Sequence, residues 1–289
     1  MIKFIKYQGC GNDYIYVDCS RILVEEPKEL AIKISDRHYG VGSDGLILVF
    51  PSKDADAEIK IFNADGSEAE MCGNGIRCAA KYLYDKRKVN ENISIKTISG
   101  IKKIKILNSR GKAFFIEVDM GRPVFEAEKI PFNLKFFHSD KKSNLENVII
   151  DKKIEINGNF YSITCVSMGN PHCVIVLDEI SDLNIEKIGS EIQNSKYFPE
   201  SVNVEFVKIE NKDTISMRVF ERGSGETMSC GTGACASIAA LTAQNIFEKN
   251  NKIKVRLKGG ELFINHTSNN TILMSGYAER VFRGYYSIN

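Results

Sequence analysis

Apolar positions along this chain follow two periods. Over Gly73–Tyr84, the residues Ile76, Ala79, Ala80 and Leu83 keep the i, i+3, i+4, i+7 spacing of one helix face. A second helix of the same kind is expected over Gly231–Leu241, and further helices near Pro27–Arg37 and Ile185–Asn194. Short runs rich in β-branched and aromatic residues predict strands. In the first half they are Tyr14–Val17, Leu46–Phe50, Glu58–Phe62, Ile93–Ile98 and Phe114–Val118. In the second half they are Cys173–Leu177, Val204–Val207, Ile215–Phe220, Ile253–Leu257 and Thr271–Ser275.

The two halves repeat each other. AEMCGNGIRCAAKYL, from Ala69, reads like TMSCGTGACASIAAL, from Thr227, and their cysteines stand 230 − 72 = 158 residues apart. The same offset places Gly11-Asn12 on Gly169-Asn170, Phe62 on Phe220, Glu68 on Glu226, Ser43 on Ser201 and Ile95-Lys96 on Ile253-Lys254. A period this long marks two copies of a domain rather than a solenoid. The expected fold is α+β: two pseudo-symmetric lobes from an internal duplication, each a mostly antiparallel sheet wrapped around a central helix, with the active site in the cleft between them. The lobes are drawn as residues 1–130 and 131–276, with the polar stretch Ser139–Asn147 in the seam. Residues 277–289 extend past the second copy, and whether they complete the first lobe is left open by the sequence.

Charge adds an exclusion. With 39 basic and 37 acidic residues the formal net charge is +2, which gives no electrostatic case for nucleic acid or an anionic membrane. No apolar run approaches the length of a spanning helix, and the N-terminal stretch lacks a signal-peptide core, so a cytoplasmic protein is expected. The eight cysteines include no C-x-x-C pair, and His38, His138, His172 and His266 are scattered, so no metal site is expected.

Only two cysteines coincide under the offset. Cys10, Cys19, Cys78, Cys165, Cys173 and Cys235 find no cysteine partner and read as small packed hydrophobes. Cys72 and Cys230 each precede Gly-x-Gly at a helix start. The unpaired N–H groups and the dipole there favour an anion and lower a thiol pKa, and the glycines let a ligand approach those N–H groups. Two such thiols, one per lobe, could hold one carbon between them. One sulfur would remove its proton and the other would return a proton to the opposite face, inverting the centre. No phosphate cradle with a Schiff-base lysine stands out, so no cofactor is expected. Aimed N–H donors and exclusion of water would then stabilise the carbanion.

The segments GCGNDY, FNADGSEAEMCGNGIRC, MGNPH, SVNVEF and ERGSGETMSCGTGA carry a specific resemblance. They span residues 9–236, and the chain resembles the diaminopimelate epimerase family, cofactor-independent isomerases of lysine and peptidoglycan precursor synthesis. The resemblance implies that Cys72 and Cys230 are the catalytic acid/base thiols, and that backbone N–H groups of Gly73, Asn74, Gly231 and Thr232 hold the reacting carboxylate. It assigns Asn12, Asn63, Asn170, Asn203, Glu221 and Arg222 to substrate contact, and to His172, with Glu221, the tuning of thiol ionisation. Arg222 suits a distal carboxylate and Glu221 an ammonium, the two ends that a diamino diacid presents. The substrate is thus a small molecule, and a homodimer is implied through an aromatic near Phe282. Gly45 departs from the Gln of some relatives, and Cys10 from an aliphatic residue. Two alternatives stay open: a racemase or epimerase of another amino acid, of the proline racemase kind, and a redox or binding protein whose thiols form a regulatory disulfide. Cys-Gly-Asn-Gly in the first loop and the Glu221-Arg222 pair weigh against the former, and the lack of C-x-x-C against the latter.

Overall fold

The structure is a computed structural model that describes residues 1–69, 71–87, 89–109, 113–136 and 147–287. His138 and, apart from Asn147, the Ser139–Asn147 stretch fall outside the described residues. The fold is α+β, with two compact units. The first comprises Met1–Asp119 with Ser275–Asn289, and the second comprises Met120–Met274. The division thus falls earlier than the 130/131 boundary drawn from the sequence. Physically, residues 120–136 are tied to the second unit: Val124 bridges Ser167, the Ala127 N–H donates to Asn147 O, and Phe132 stacks on Tyr197.

In the first unit the strands are β1 (Ile2–Gly9), β2 (Asn12–Asp18), β3 (Gly45–Phe50), β4 (Ala57–Asn63), β5 (Glu68–Ala69), β6 (Asn92–Thr97), β7 (Gly100–Asn108) and β8 (Ala113–Asp119). The second unit holds β9 (Lys152–Ile156), β10 (Asn159–Ser167), β11 (Pro171–Val176), β12 (Asn203–Asn211), β13 (Thr214–Glu221), β14 (Gly225–Glu226), β15 (Lys252–Leu257) and β16 (Gly260–His266). The last strand, β17 (Ile272–Tyr286), belongs to the first unit from Ser275 onward. The helices are α1 (Pro27–Ser35), α2 (Gly73–Arg87), α3 (Ile185–Gln193) and α4 (Gly231–Ala243).

The first unit closes on itself. β1 pairs with β2, β3 with β4, β6 with β7 and β7 with β8, all antiparallel. β2–β3 and β4–β6 are parallel. The ring is completed by β17, which pairs with β1 and with β8. α2 packs against β1, β2, β6, β7 and β8, so it is the helix around which the sheet wraps. α1 covers another face through Leu30, Ala31 and Ile34, which pack with Ile15, Val17, Leu46, Leu48 and Phe62. Strands covered on both faces read as continuous apolar runs instead of alternating ones, as in Leu46–Val49.

The second unit repeats this plan in the order β9, β10, β11, β12, β13, β15, β16, again with parallel β11–β12 and β13–β15 pairs. α3 packs on β12 and β13, and α4 on β10, β11, β12 and β16. α4 is built from small and apolar residues and is buried on nearly all sides, as an enclosed helix must be. The repeat extends to residue register. Tyr14 sits opposite Gly45, and His172, offset by 158, sits opposite Asn203. After the enclosed helices the register changes. Ala57 faces Ile95, whereas its counterpart Ile215 faces Val255, so the offset there is 255 − 95 = 160. The structural counterpart of Ile95-Lys96 is therefore Val255-Arg256, which corrects the constant-offset assignment to Ile253-Lys254. From the start of the enclosed helix to the start of that strand, the second copy is two residues longer.

Candidate active site

Each cysteine loop occupies the same place in its own unit. Cys230 is the N-cap of α4 in extended conformation, and its Sγ accepts the Gly233 N–H at 3.3 Å. Cys72 Sγ accepts the Gly75 N–H at 3.3 Å at the start of α2. A sulfur thus takes the role usually filled by a Ser, Thr, Asp or Asn oxygen. The second glycine of each Gly-x-Gly serves packing: a Cβ on Gly75 would stand 2.9 Å from Ile47 Cδ1, and one on Gly233 2.6 Å from Glu205 Oε1. These two glycines bring the helix start down onto a strand, so their role is not only to clear a path for a ligand, as the sequence suggested.

In the first unit, the Cys72 thiol donates to Asn12 Oδ1 at 3.3 Å, and Asn12 Nδ2 donates to Asp44 Oδ2 at 2.6 Å. Asp44 in turn pairs with Arg37 at 2.8 Å, and Asp13 with Lys6 at 2.6 Å and Arg37 at 3.0 Å. Burial and the neighbouring Asp13 charge push the Asp44 carboxyl up. Burial also works on Asp13, but its bonds to Lys6 and Arg37 outweigh it and hold that carboxyl down. The turn before Asn12 has both Cys10 and Gly11 at positive φ, 57° and 77°, which is the twist-matched geometry of a two-residue hairpin. Asn63, at the end of β4, pairs across to Gly45 and donates to Ser67 Oγ at 3.0 Å. The Asn74 side chain is buried and accepts from Arg77 Nη2 at 2.6 Å. Gly45 has no room for the Gln of some relatives, since a Cβ there would lie 2.2 Å from Phe62 O.

The second unit is more polar. His172 and Glu205 are both fully buried, and His172 Nδ1 donates to Glu205 Oε1 at 2.6 Å. His172 Nε2 meets Asn170 Oδ1 at 3.0 Å, and Asn170 Nδ2 donates to Thr232 Oγ1 at 3.3 Å. Thr232 Oγ1 lies 3.4 Å from Cys230 Sγ. Asn203 staples two turns, donating to Pro171 O at 2.8 Å and accepting the Arg222 N–H at 2.9 Å, while the Arg222 side chain is exposed. Thr227 donates to Glu221 Oε1 at 2.5 Å. Burial pushes the Glu221 carboxyl up, against hydrogen bonds from Thr227 and Cys230.

The helix N-terminus favours an ionised thiol, yet the Cys230 thiol is pushed well up. Burial is the main cause, followed by the charges of Glu221 and Glu205, and the Gly233 N–H and Thr232 offset them only in part. The unmatched cysteines Cys19, Cys78, Cys165, Cys173 and Cys235 are buried among packed residues, and Cys10 is half-buried.

Among the residues of these networks to which the sequence analysis assigns no role are Asp44, Glu205 and Thr227. Glu205 left a signal, a carboxylate inside the apolar run Val202–Val207. Its neighbours Val204 and Phe206 face the α3 side, so parity turns Glu205 toward α4.

The fold is shared with two solved structures. A phenazine biosynthesis protein of the PhzF family from Bacillus anthracis aligns with TM-score 0.70 at 19% identity, covering 99% of each chain. A probable proline racemase from Agrobacterium radiobacter aligns with TM-score 0.69 at 14% identity, covering 100% of this chain and 94% of that one. These likenesses define the architecture alone. The sequence model described as diaminopimelate epimerase matches residues 4–126 and 164–281. The diaminopimelate epimerase of Acetivibrio thermocellus is 45% identical over 290 residues, covering 100% of this chain and 99% of its own. That of Methanococcus maripaludis strain C5 is 44% identical over 289 residues, covering 99% and 100%. The chain belongs to the diaminopimelate epimerase family, and it is an isomerase.

Proposed function

We propose that this enzyme interconverts LL- and meso-diaminopimelate by two-base proton transfer at one α-carbon, with Cys72 and Cys230 as the acid/base pair. The supporting observation is the repeated setting: in each unit a cysteine sulfur caps the first turn of an enclosed helix and takes an N–H bond. In one direction the thiolate of one cysteine takes the α-proton, so a Cα–H bond breaks and an S–H bond forms. The electron pair stays on carbon, delocalised into the α-carboxylate, which the N–H groups of Gly73, Asn74, Gly231 and Thr232 receive. The other thiol then gives its proton to the opposite face and becomes the thiolate. The reverse direction exchanges the roles. Asn12, Asn63, Asn170, Asn203, Glu221 and Arg222 are assigned to the substrate's polar groups, with Arg222 exposed for the distal carboxylate. Glu221 accepts from Thr227 and its charge acts on the Cys230 thiol, which fits a role in setting that proton.

The deciding measurement is incubation with LL-diaminopimelate in D₂O, with reductant and no added cofactor. Deuterium entering the α-position together with meso product is expected. Exchange on proline without exchange on diaminopimelate would move the assignment to an amino acid racemase of another substrate, and loss of activity on adding reductant to a redox protein. We also infer a cytoplasmic homodimer. No described helix is long and apolar enough to cross a membrane, and β17 leaves Tyr277, Val281, Phe282 and Tyr285 exposed. Light scattering on the purified protein gives the mass that checks the dimer.

A further inference from the structure

The two cysteine loops share a backbone but not what lies under it. Under Gly75 the strand presents Ile47, whereas under Gly233 the equivalent position of β12 presents Glu205. Glu205 is fully buried, its Oε1 takes the His172 N–H, and its Oε2 has no hydrogen-bond partner among the described residues. A buried carboxylate with an idle oxygen is unfavourable, and Ile47 shows that an apolar side chain fits this place in the fold. From Glu205 the polar contacts run without a break through His172, Asn170 and Thr232 to Cys230 Sγ.

We propose that Glu205 is a positioning residue. Its carboxylate fixes His172 with Nδ1 as donor, and through it holds the Asn170–Thr232 chain beside Cys230 in one orientation. The proposal rests on the reading of Cys230 as an acid/base group, and it gives the two thiols different proton environments despite their matched backbones. Behind a metal-bound histidine such a carboxylate matters about tenfold to a hundredfold, and an effect of that order is expected here. Cys230 is faced by Glu221 and Glu205, by the Thr232 hydroxyl and by the Gly233 N–H, while Glu221 is faced in turn by His172 and Glu205. Burial holds the Cys230 thiol up, and both carboxylate charges add to this. Removing the charge at position 205 therefore eases ionisation of Cys230 and moves it to lower pH.

The test is the pH dependence of Cys230 alkylation by iodoacetamide, read on its peptide by mass spectrometry in the Cys72→Ala background. Glu205 is compared there with Glu205→Gln, so access to the sulfur is held nearly constant. The alkylation midpoint is expected to move to lower pH. In the enzyme with both cysteines, kcat for Glu205→Gln should fall by about tenfold or more, with KM changed less than kcat. Because alkylation needs no turnover, it reports on Glu205 even if diaminopimelate proves the wrong substrate. An unmoved midpoint with an unchanged kcat in folded Glu205→Gln overturns the proposal. If that variant does not fold, Glu205→Asp keeps the charge and withdraws it from His172. A lowered kcat in Glu205→Asp then supports the positioning role, and native kcat with a native midpoint overturns it.

Discussion

The first unit and the second are built on one plan and filled with different chemistry. Where the first places Tyr14, Ile47 and Ile106, the second places His172, Glu205 and His266 at matching points of strand register. The first thiol leans on an asparagine tied to Asp44 and its arginine, at the margin of the fold. The second sits above a buried histidine–carboxylate pair. Duplication therefore preserved the feature that presents the sulfur and released the residues behind it.

The comparison can be broken most strongly at the sulfurs themselves. If the proposed two-base mechanism holds, Cys72→Ala and Cys230→Ala should each lower epimerisation by at least about a thousandfold, because each removes one of its two proton carriers. Steady-state rates check this, and a full rate in either variant removes the two-base reading. Next in size is the charge beside Cys230. Glu221→Gln takes away a carboxylate that holds this thiol up, so the thiol ionises at lower pH and the acid limb of kcat/KM shifts the same way, with activity down by about a hundredfold. Replacing Asn63, the residue at the matching position in the first unit, should leave that limb in place.

The glycines give a smaller, more selective contrast. Gly75→Ala pushes on Ile47 Cδ1, a methyl end that can rotate, and should cost under about 1 kcal/mol. Gly233→Ala pushes on Glu205 Oε1, which His172 holds, and should cost about 2 kcal/mol and disturb activity as well. Urea unfolding of the two variants separates them. The smallest effect concerns His266. Burial, with the Lys249 charge, holds this imidazole below its usual range. The unfolded chain therefore binds the proton first as pH falls, so this stability is complete above the ordinary histidine range and is lost on acidification through it. His266→Leu, imitating Ile106, should flatten that acid slope of Tm, and an unchanged slope would exclude the histidine as its source.

Much of this was legible in the sequence because the core is periodic. α1 at Pro27–Ser35 and α3 at Ile185–Gln193 lie within the helices expected at Pro27–Arg37 and Ile185–Asn194, and the enclosed helices start where Gly73 and Gly231 are. Strands facing water were harder to see. In β7, Lys102, Lys103 and Lys105 alternate with few apolar residues, and only Ile104 and Ile106 are buried, so no long apolar signal forms. β5 and β14 are two residues each, too short for any period. The change of offset from 158 to 160 is hidden because isoleucine, lysine and valine recur on both registers of β15. In the site, the cysteines stood out by repetition, and the resemblance supplied the asparagines. Glu205 escaped because repetition favours what two copies share, and this residue belongs to one copy alone.

The strand that seals the first ring is the last in the chain, and it pairs with β1, the earliest. The second unit is one uninterrupted segment, so it needs no residue from a distant part of the chain to complete its sheet. The first must wait with two raw edges, on β1 and β8, until translation delivers its keystone. Until then the strands of Met1–Asp119 depend on protection from stray strand pairing.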